Sequence, residues 1–290
     1  MKVTGFSFIR NAIKFDYPIV EAVRSILPLC DEVVIAVGQS EDETLELVRD
    51  IDPKVRIIET VWEDEVRTSG NILAIETNKA FDAIREDTDW CFYIQGDEVL
   101  HEKYIPTVKA AMEQWLEDEQ TEGLLFNYLH FYGSYDYTGD SRGWYRKEIR
   151  VIRNDKRIRS FRDAQGFKKE GEKLQVRSVD AYIHHYGWVK HPEKQQQKQL
   201  TFNKFWHDDE WMEQNVPKVE QFDYSKIDSL RRFEGTHPKV IQERIRLMNW
   251  EFSFDPTQRK LKLKERLSRW FEKGTGIRLG EYRNYKIIKN

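Results

Sequence analysis

Four short apolar runs, each followed by an amphipathic stretch, organise the first 120 residues. The apolar runs lie at residues 3–9, 33–37, 55–58 and 90–94. They lack the polar–apolar alternation of a half-exposed strand. Helical spacing follows them at residues 18–28, 40–51, 71–85 and 104–120. Strands buried on both faces and joined by helices predict a largely parallel sheet covered by helices on both sides.

The ends of these predicted strands carry the first candidate functional residues. Arg10, Gly38 and Asp97 each follow one of the apolar runs. Because ligands of parallel sheets bind beyond the carboxyl ends of the strands, we expect these three residues at one rim. Ser40 and Glu43 form a capping-box pattern, which predicts that the second helix begins at Ser40.

The pattern changes after Gly123. Further strands are predicted at residues 124–129, 149–152 and 179–184, with antiparallel or mixed pairing. The remainder, residues 191–290, is polar and rich in Lys, Gln and Trp, which predicts helices and loops packed on the core. The expected fold class is α/β: a mixed, mostly parallel sheet flanked by helices in a core at 1–190, with a mostly helical C-terminal extension at 191–290.

Composition narrows the class of protein. Of the 290 residues, 39% are hydrophobic and 33% are charged, and the net charge of −3 gives no reason to expect nucleic acid as a partner. The two cysteines, Cys30 and Cys91, have apolar surroundings, which suits a reducing compartment. No run approaches the ~20 apolar residues of a membrane span. Met1 leads directly into the first strand without a signal-peptide pattern, so we expect a cytoplasmic protein.

Two adjacent acids follow the fourth apolar run, in the sequence Gln95-Gly96-Asp97-Glu98. Mg²⁺ or Mn²⁺ takes one or two carboxylates and fills its other positions with water and phosphate oxygens, which a rigidly held Asp97 would suit. Gly96 would leave room for a phosphate or sugar. Equally, both acids would suit the protein surface near the dipole of the next helix. The pattern alone leaves both interpretations open.

A family resemblance adds to this pattern. The segments VLHE, DEVVIAVGQSEDETLELV and TNKAFDAIREDTDW resemble bacterial glycosyltransferases of family 2, which have the GT-A fold. The likeness covers residues 3–190 and is most specific up to about residue 105. It implies a nucleotide-binding half at 1–105, an acceptor half at 106–190, and Mn²⁺ or Mg²⁺ bound with a UDP- or GDP-linked sugar donor. The implied reaction is transfer with inversion to a hydroxyl of a bacterial glycan or lipid-linked glycan.

The resemblance assigns roles to the acid motif, which departs from the family pattern. In the family, an Asp-x-Asp-type motif binds a metal chelated by the donor diphosphate. Here the matching stretch is IQGDE, so Asp97 is the implied metal ligand, while Gln95, Gly96 and Glu98 would lie beside the donor. Gln95 replaces the first acid of the motif. Glu98 would support Asp97.

A second departure concerns the nucleotide base. Family members often carry VVDDGSTDGT after the second strand, where this chain has IAVGQSEDET, so Val37 and Gly38 replace the aspartates. The nearest polar groups are then Gln39 and the pair Arg10-Asn11. The Arg10 guanidinium would suit a nucleotide, and a surface salt bridge would explain it as well.

His184 and His185 end a predicted strand in the stretch SVDAYIHHYGWVKHP. Neighbouring residues of a strand point to opposite faces, so at most one of them should face the site. By resemblance, a histidine well after the acid motif completes the metal shell, and His185 is the implied ligand. A packed, hydrogen-bonded histidine is the alternative.

An inverting transfer needs a base that takes the proton of the acceptor hydroxyl. By resemblance, Asp163 in SFRDAQGF lies where the family carries its catalytic acid, and Arg157, Arg159 and Arg162 would keep it ionised. An ordinary loop aspartate is the alternative. Three other acids are rivals for the role: Asp136, Asp140 and Glu170.

Two further stretches have more than one explanation. Residues 126–145 hold eight aromatics in twenty, which suits an acceptor-binding wall, a hairpin core or a homodimer contact. Residues 257–290 carry eleven Lys or Arg against three Glu, which suits peripheral contact with an anionic membrane or an amphipathic helix on the core.

Two rival functions remain. One is a carbohydrate- or nucleotide-sugar-binding protein of the same fold, which the missing acids at Val37 and Gln95 would favour. The other is a nucleotidyltransferase, which would need a glycine-rich phosphate loop after the first strand. The stretch FIRNAIKFDYP holds no glycine.

Overall fold

A computed structural model describes residues 1–62, 71–215, 219–257, 268, 270–272, 274–275, 278 and 280–288. The strands are β1 (Val3–Ile9), β2 (Glu32–Gly38), β3 (Val55–Thr60), β4 (Trp90–Tyr93), β5 (Glu98–Leu100), β6 (Gly123–Tyr132), β7 (Ser134–Gly139), β8 (Lys147–Arg153), β9 (Ile158–Phe161), β10 (Gly166–Lys169), β11 (Glu172–Trp188), β12 (Leu230–Arg232) and β13 (Tyr285–Ile287). The helices are α1 (Ile19–Ile26), α2 (Thr44–Arg49), α3 (Asn71–Asp82), α4 (Ile105–Gln114), α5 (Pro192–Asn203), α6 (Asp209–Asn215) and α7 (Gln242–Arg246).

The strands form one mixed sheet in the order β3-β2-β1-β4-β8-β6-β11-β10-β9. The first four strands are mutually parallel. Antiparallel pairing begins where β8 joins β4 and β6, and β6 then pairs parallel with β11. The predicted α/β class, with helices flanking a mixed sheet, is confirmed. The continuous run of parallel strands, β3-β2-β1-β4, lies in the N-terminal half.

Strand β2 shows why the early strands lack alternation. Val33, Ile35 and Val37 pack into one core, which includes α1 and α4. Val34 and Ala36 pack on the opposite face, in the core that includes α3. Because both faces of the strand are covered, every position from 33 to 37 is apolar.

The predicted capping box at Ser40 and Glu43 is wrong. Helix α2 begins at Thr44, and its N-cap Glu43 makes no side-chain capping bond. Ser40 Oγ instead accepts a hydrogen bond from the Asn11 backbone N–H at 3.0 Å and donates to the Gly38 carbonyl at 2.8 Å. Ser40 thus links the ends of β1 and β2 through a long-range contact, instead of forming the capping box within its own segment.

The C-terminal part contributes strands as well as helices α5, α6 and α7. Strand β12 pairs with β7, and β13 pairs with β11. The predicted boundary near residue 190 stays a prediction. Much of the basic segment, including residues 258–267, lies outside the described residues. Among the residues described, no helix is long and apolar enough to cross a membrane.

Candidate active site

Strand pairing brings Asp97 and His185 together. After β4 the chain turns through Gln95 and Gly96 into β5, which runs antiparallel to β11 with Glu98 opposite His185. The Asp97 carbonyl accepts a hydrogen bond from the Tyr186 N–H at 2.8 Å, which fixes the turn. Asp97 Oδ1 then lies 3.7 Å from His185 Nε2. Asp97 is only 8% exposed, so it is not the surface acid that the pattern also allowed.

His184 points the other way, as the strand geometry predicted. Its ring packs on His101 and Phe131, and its Nδ1 lies 3.3 Å from the Tyr186 hydroxyl. Only His185 faces Asp97.

A chain of hydrogen bonds defines the protonation of His185. His130 Nε2 lies 2.8 Å from the Tyr145 carbonyl, which can only accept, so His130 carries its proton there. Burial lowers the pKa of His130 and also that of His185, which keeps both rings neutral near pH 7. Since His130 Nδ1 is then an acceptor, His185 Nδ1 donates to it at 3.3 Å. His185 Nε2 is left with a lone pair directed towards Asp97.

Positive charges keep the Asp97 carboxyl ionised. Burial acts to raise the pKa of Asp97, but nearby positive charge, above all that of Lys198, outweighs it and holds the pKa well below its usual value. Lys198 Nζ donates to Asp97 Oδ2 at 3.2 Å. Lys190 is fully buried and donates to the Asp16 carbonyl at 2.6 Å. Burial and the neighbouring Lys198 charge lower the Lys190 pKa to about 7.

A carboxylate and an imidazole lone pair are suitable ligands for Mn²⁺ or Mg²⁺. Within the described part of the chain, no cluster of three or more His, Cys, Asp or Glu is placed to hold a metal ion. Asp97 and His185 are therefore a two-residue set. Such a set fits an ion that takes its remaining ligands from water and a bound diphosphate.

Glu98 does not lie where the resemblance placed it. Its two oxygens accept hydrogen bonds from Arg150 at 2.8 and 2.7 Å, and both side chains are completely buried. Tyr128 Oη donates to Glu98 Oε1 at 2.8 Å. Because protein donors occupy both oxygens, its predicted supporting role beside the donor is wrong. Glu98 anchors β8 beneath the acid motif.

Gln95 connects the acid motif to the loop that carries Asp163. Gln95 Nε2 donates to the Ala164 carbonyl at 3.2 Å and to Tyr93 Oη at 3.3 Å. Arg162 and Ala164, on either side of Asp163, have positive φ angles of 54° and 59°. Left-handed backbone at two non-glycine residues costs energy and commonly marks functional loops.

The arginines expected to support Asp163 have other partners. Arg157 pairs with Asp155, and Arg159 pairs with Asp82. For these two arginines the prediction is wrong, because Arg157, just before β9, and Arg159, within it, each pair with another acid. Asp163 itself is half-buried.

Two glycines fit closely around Asp97. A Cβ atom on Gly96 would lie 2.9 Å from Ile9 Cδ1, so packing against β1 is one reason for a glycine here, and the room for a ligand that the sequence suggested stays a prediction. A Cβ on Gly187 would lie 2.7 Å from both Asp97 Oδ2 and His185 Cε1. Sequence reasoning missed Gly187, although it stands two residues after His185.

Two of the predicted rim residues, Arg10 and Gly38, lie at the ends of β1 and β2, while their placement on one rim with Asp97 stays a prediction. Arg10 Nε donates to the Gln39 carbonyl at 3.0 Å, and its guanidinium lies over the Trp62 ring at 5.4 Å. Asn11 has a positive φ of 54° and accepts from the Glu41 N–H at 2.8 Å. A Cβ on Gly38 would lie 2.3 Å from Trp62 Nε1.

A cavity of about 380 Å³ lies near His130, between the loop before β8 and the C-terminal segment. Its lining includes Trp144 and Tyr145, and the Tyr145 carbonyl is the partner of His130. Glu148 also lines it, accepting from Gln165 and Asn284 at 2.9 Å each. Burial raises the pKa of Glu148 to about 8. Most other aromatics of residues 126–145 pack in cores, so the hairpin-core explanation holds for them.

Comparisons with known proteins give distant likenesses only. No family model matches the chain, and no curated protein matches it. Similar solved structures include S. aureus TarS, with a TM-score of 0.41 and 15% identity over 76% of this chain and 41% of TarS. A 4-diphosphocytidyl-2C-methyl-D-erythritol synthase from Anaerococcus prevotii has a TM-score of 0.33 and 9% identity, covering 53% of this chain and 71% of that one.

A glucosyl-3-phosphoglycerate synthase from Mycobacterium tuberculosis, in complex with Mn²⁺, UDP and glucosyl-3-phosphoglycerate, has a TM-score of 0.32 and 18% identity. It matches over 46% of this chain and 45% of its own length. The chain thus spans less than half of TarS and of this synthase. Likenesses this distant assign neither a family nor an activity.

Proposed function

We propose that this protein is a metal-dependent glycosyltransferase that moves a sugar, with inversion, from a nucleotide-diphosphate donor to a hydroxyl acceptor. One observation carries the proposal. After the carboxyl end of β4, the ionised Asp97 faces the unprotonated Nε2 of His185 at 3.7 Å, and both side chains are largely buried. That distance is too long for a hydrogen bond, and the two groups are matched ligands for a divalent cation.

In this proposal, Asp97 and His185 hold Mn²⁺ or Mg²⁺. The bound ion would neutralise charge on the departing diphosphate. His130 fixes the His185 ring in the orientation that presents Nε2, which is the usual role of a partner behind a metal-binding imidazole. Arg10, Asn11, Gly38 and Gln39 would contact the nucleotide, UDP or GDP, and Gln95, Gly96 and the acid turn would lie beside its diphosphate.

We place the acceptor, a glycan or lipid-linked sugar, in the cavity lined by Trp144 and Tyr145. Aromatic faces stack on the apolar faces of sugar rings. Asp163 would be the base, because its loop contacts Gln95 on one side while Gln165 lines the cavity on the other. Glu148 is less suited to this role, because amide groups occupy both of its oxygens. Asp136, Asp140 and Glu170 are rivals for the role of base.

The test measures turnover and binding together. UDP- and GDP-linked sugars are offered with and without Mn²⁺, and release of the nucleoside diphosphate is followed. We expect Asp97→Asn and His185→Ala to abolish release, Asp163→Asn to abolish transfer, and Asp87→Asn, at an exposed acid, to leave both unchanged. Full activity of Asp97→Asn would refute the metal assignment.

The rival with a specific observation in its favour is a nucleotide-sugar-binding protein without turnover. Gln95 replaces the first acid of the motif, and its side-chain amide donates hydrogen bonds to the protein itself, at Tyr93 Oη and the Ala164 carbonyl. Calorimetry separates the two functions. Metal-dependent binding of a donor without release of its diphosphate would favour the binding protein over the enzyme.

We further propose a cytoplasmic location, with peripheral membrane contact through the basic residues of the segment 257–290. The charge of that segment, eleven Lys or Arg against three Glu, supports attraction to anionic lipid. Co-sedimentation with vesicles of phosphatidylglycerol tests it, with phosphatidylcholine vesicles as the control. Equal recovery from both would contradict membrane contact.

A further inference from the structure

Lys198 donates a hydrogen bond to Oδ2 of Asp97, whereas His185 lies near Oδ1. Helix α5, which begins after β11 with Pro192 in its first turn, carries this lysine back over the acid motif. Its Nζ lies 3.2 Å from Asp97 Oδ2 and 3.2 Å from the Gly187 carbonyl. The rings of Tyr17 and Phe202 lie 4.8 and 5.3 Å from the ammonium.

These contacts place Lys198 beside both proposed metal ligands. The side chains of Lys198, Asp97 and His185 are 11, 12 and 12% exposed, so all three are largely but not completely buried. Because Lys198 Nζ lies 3.2 Å from Asp97 Oδ2, a ligand that reaches this oxygen also meets the ammonium.

An ammonium and a divalent cation compete for this carboxylate. Both are positive, and each seeks the lone pairs of Asp97, so binding of the ion to Asp97 and His185 raises the energy of Lys198 where it lies. Lys190 is a second, fully buried lysine beside them, and it adds to the positive charge of the site whenever it is protonated. The protein therefore disfavours the binding of a divalent ion in the absence of a nucleotide.

A nucleoside diphosphate removes this conflict. Its phosphate oxygens offer acceptors for the three N–H donors of Lys198, and the flexible four-carbon stem lets the ammonium turn from Asp97 to them. A bound nucleotide would stabilise the displaced lysine, and Asp97 Oδ2 would then be free to help hold a metal ion.

We propose that Lys198 is a phosphate-binding residue that couples the metal to the nucleotide: it neutralises Asp97 in the empty site and transfers to the donor diphosphate when the metal binds. This inference rests on the proposed function. It implies that metal and nucleotide each strengthen binding of the other, as linkage requires. Without the lysine, the metal should bind better alone and the nucleotide worse.

The test is a titration of Mn²⁺ by electron paramagnetic resonance, with and without UDP or GDP, in the wild type and in Lys198→Met. We expect Lys198→Met to bind Mn²⁺ alone at least tenfold more tightly. We also expect it to bind the nucleotide at least tenfold more weakly, and to lose most of the coupling between them. Lys198→Arg, which keeps the charge, should retain the coupling, and Lys204→Met, at an exposed lysine after the same helix, should behave as the wild type.

The outcomes separate this inference from the function it rests on. If Lys198→Met weakens Mn²⁺ binding and nucleotide binding alike, the lysine only tethers helix α5, and the inference is overturned while the metal site stands. If the wild type binds no Mn²⁺ that Asp97→Asn abolishes, at any nucleotide concentration, the metal assignment and this inference both fall.

Discussion

The buried ion pair between Glu98 and Arg150 allows a strong prediction about stability. Arg150 donates to both Glu98 oxygens through Nε and Nη2, and neither side chain is exposed. Arg150 Nη1 donates to the carbonyls of Ile149 and Gln165 at 2.8 and 3.0 Å. Replacing Glu98 with Gln leaves those two bonds but removes the charge that balances the guanidinium.

The expected loss follows from the uncompensated charge. Removing one partner of a buried pair typically destabilises a protein by about 3–5 kcal/mol. At roughly 2 °C per kcal/mol for a chain of this size, Glu98→Gln should lower the midpoint of thermal unfolding by roughly 6–10 °C. The double variant Glu98→Met with Arg150→Met removes both charges, so it should lie much closer to the wild type than either single variant.

Urea unfolding followed by tryptophan fluorescence measures these differences in the free energy of unfolding, since the chain has nine tryptophans. Asp87→Asn, which removes one partner of an exposed pair with Lys2, is the control and should leave the midpoint unchanged. Glu98→Gln should also retain Mn²⁺ binding. Loss of Mn²⁺ binding at unchanged stability would refute this account and restore Glu98 as a group of the donor site.

Three further predictions concern the surroundings of Asp97 and His185 and the cavity lined by Trp144 and Glu148. Gly187→Ala should weaken Mn²⁺ binding at least tenfold, because its methyl would overlap Asp97 and His185; unchanged affinity would contradict the packing. The pKa of Glu148 is raised in the folded state to about 8, so between about pH 4.5 and 8 the native state binds a proton that the unfolded state has lost. The free energy of unfolding should therefore fall as pH rises through this range, by up to about 1.4 kcal/mol per pH unit. Urea midpoints across this range should show the fall and Glu148→Gln should flatten it, whereas parallel profiles would refute this cause. Trp144→Ala should raise the acceptor KM several-fold and leave donor hydrolysis unchanged, and a loss confined to hydrolysis would argue against the cavity as the acceptor site.

The sequence alone determined the parallel half of the sheet and the placement of the candidate residue Asp97 after one of its strands. Burial of both faces of β2 leaves a continuous apolar run, so the parallel strands were visible in the pattern. Strand ends in a parallel sheet share one rim, which is why Asp97 could be placed at the carboxyl end of a strand. The two-residue period of a strand also separated His184 from His185 correctly.

The tertiary structure alone decided which partner each of these groups has. Glu98 pairs with an arginine 52 residues away, and Asp97 pairs with a lysine 101 residues away. Ser40 bonds across to the Asn11 backbone, 29 residues distant, instead of capping its own helix. Periodicity records only whether a position is buried. The identity of a polar partner depends on the register of β5 against β11 and on the path of α5, which bring together residues with no local relation in the chain.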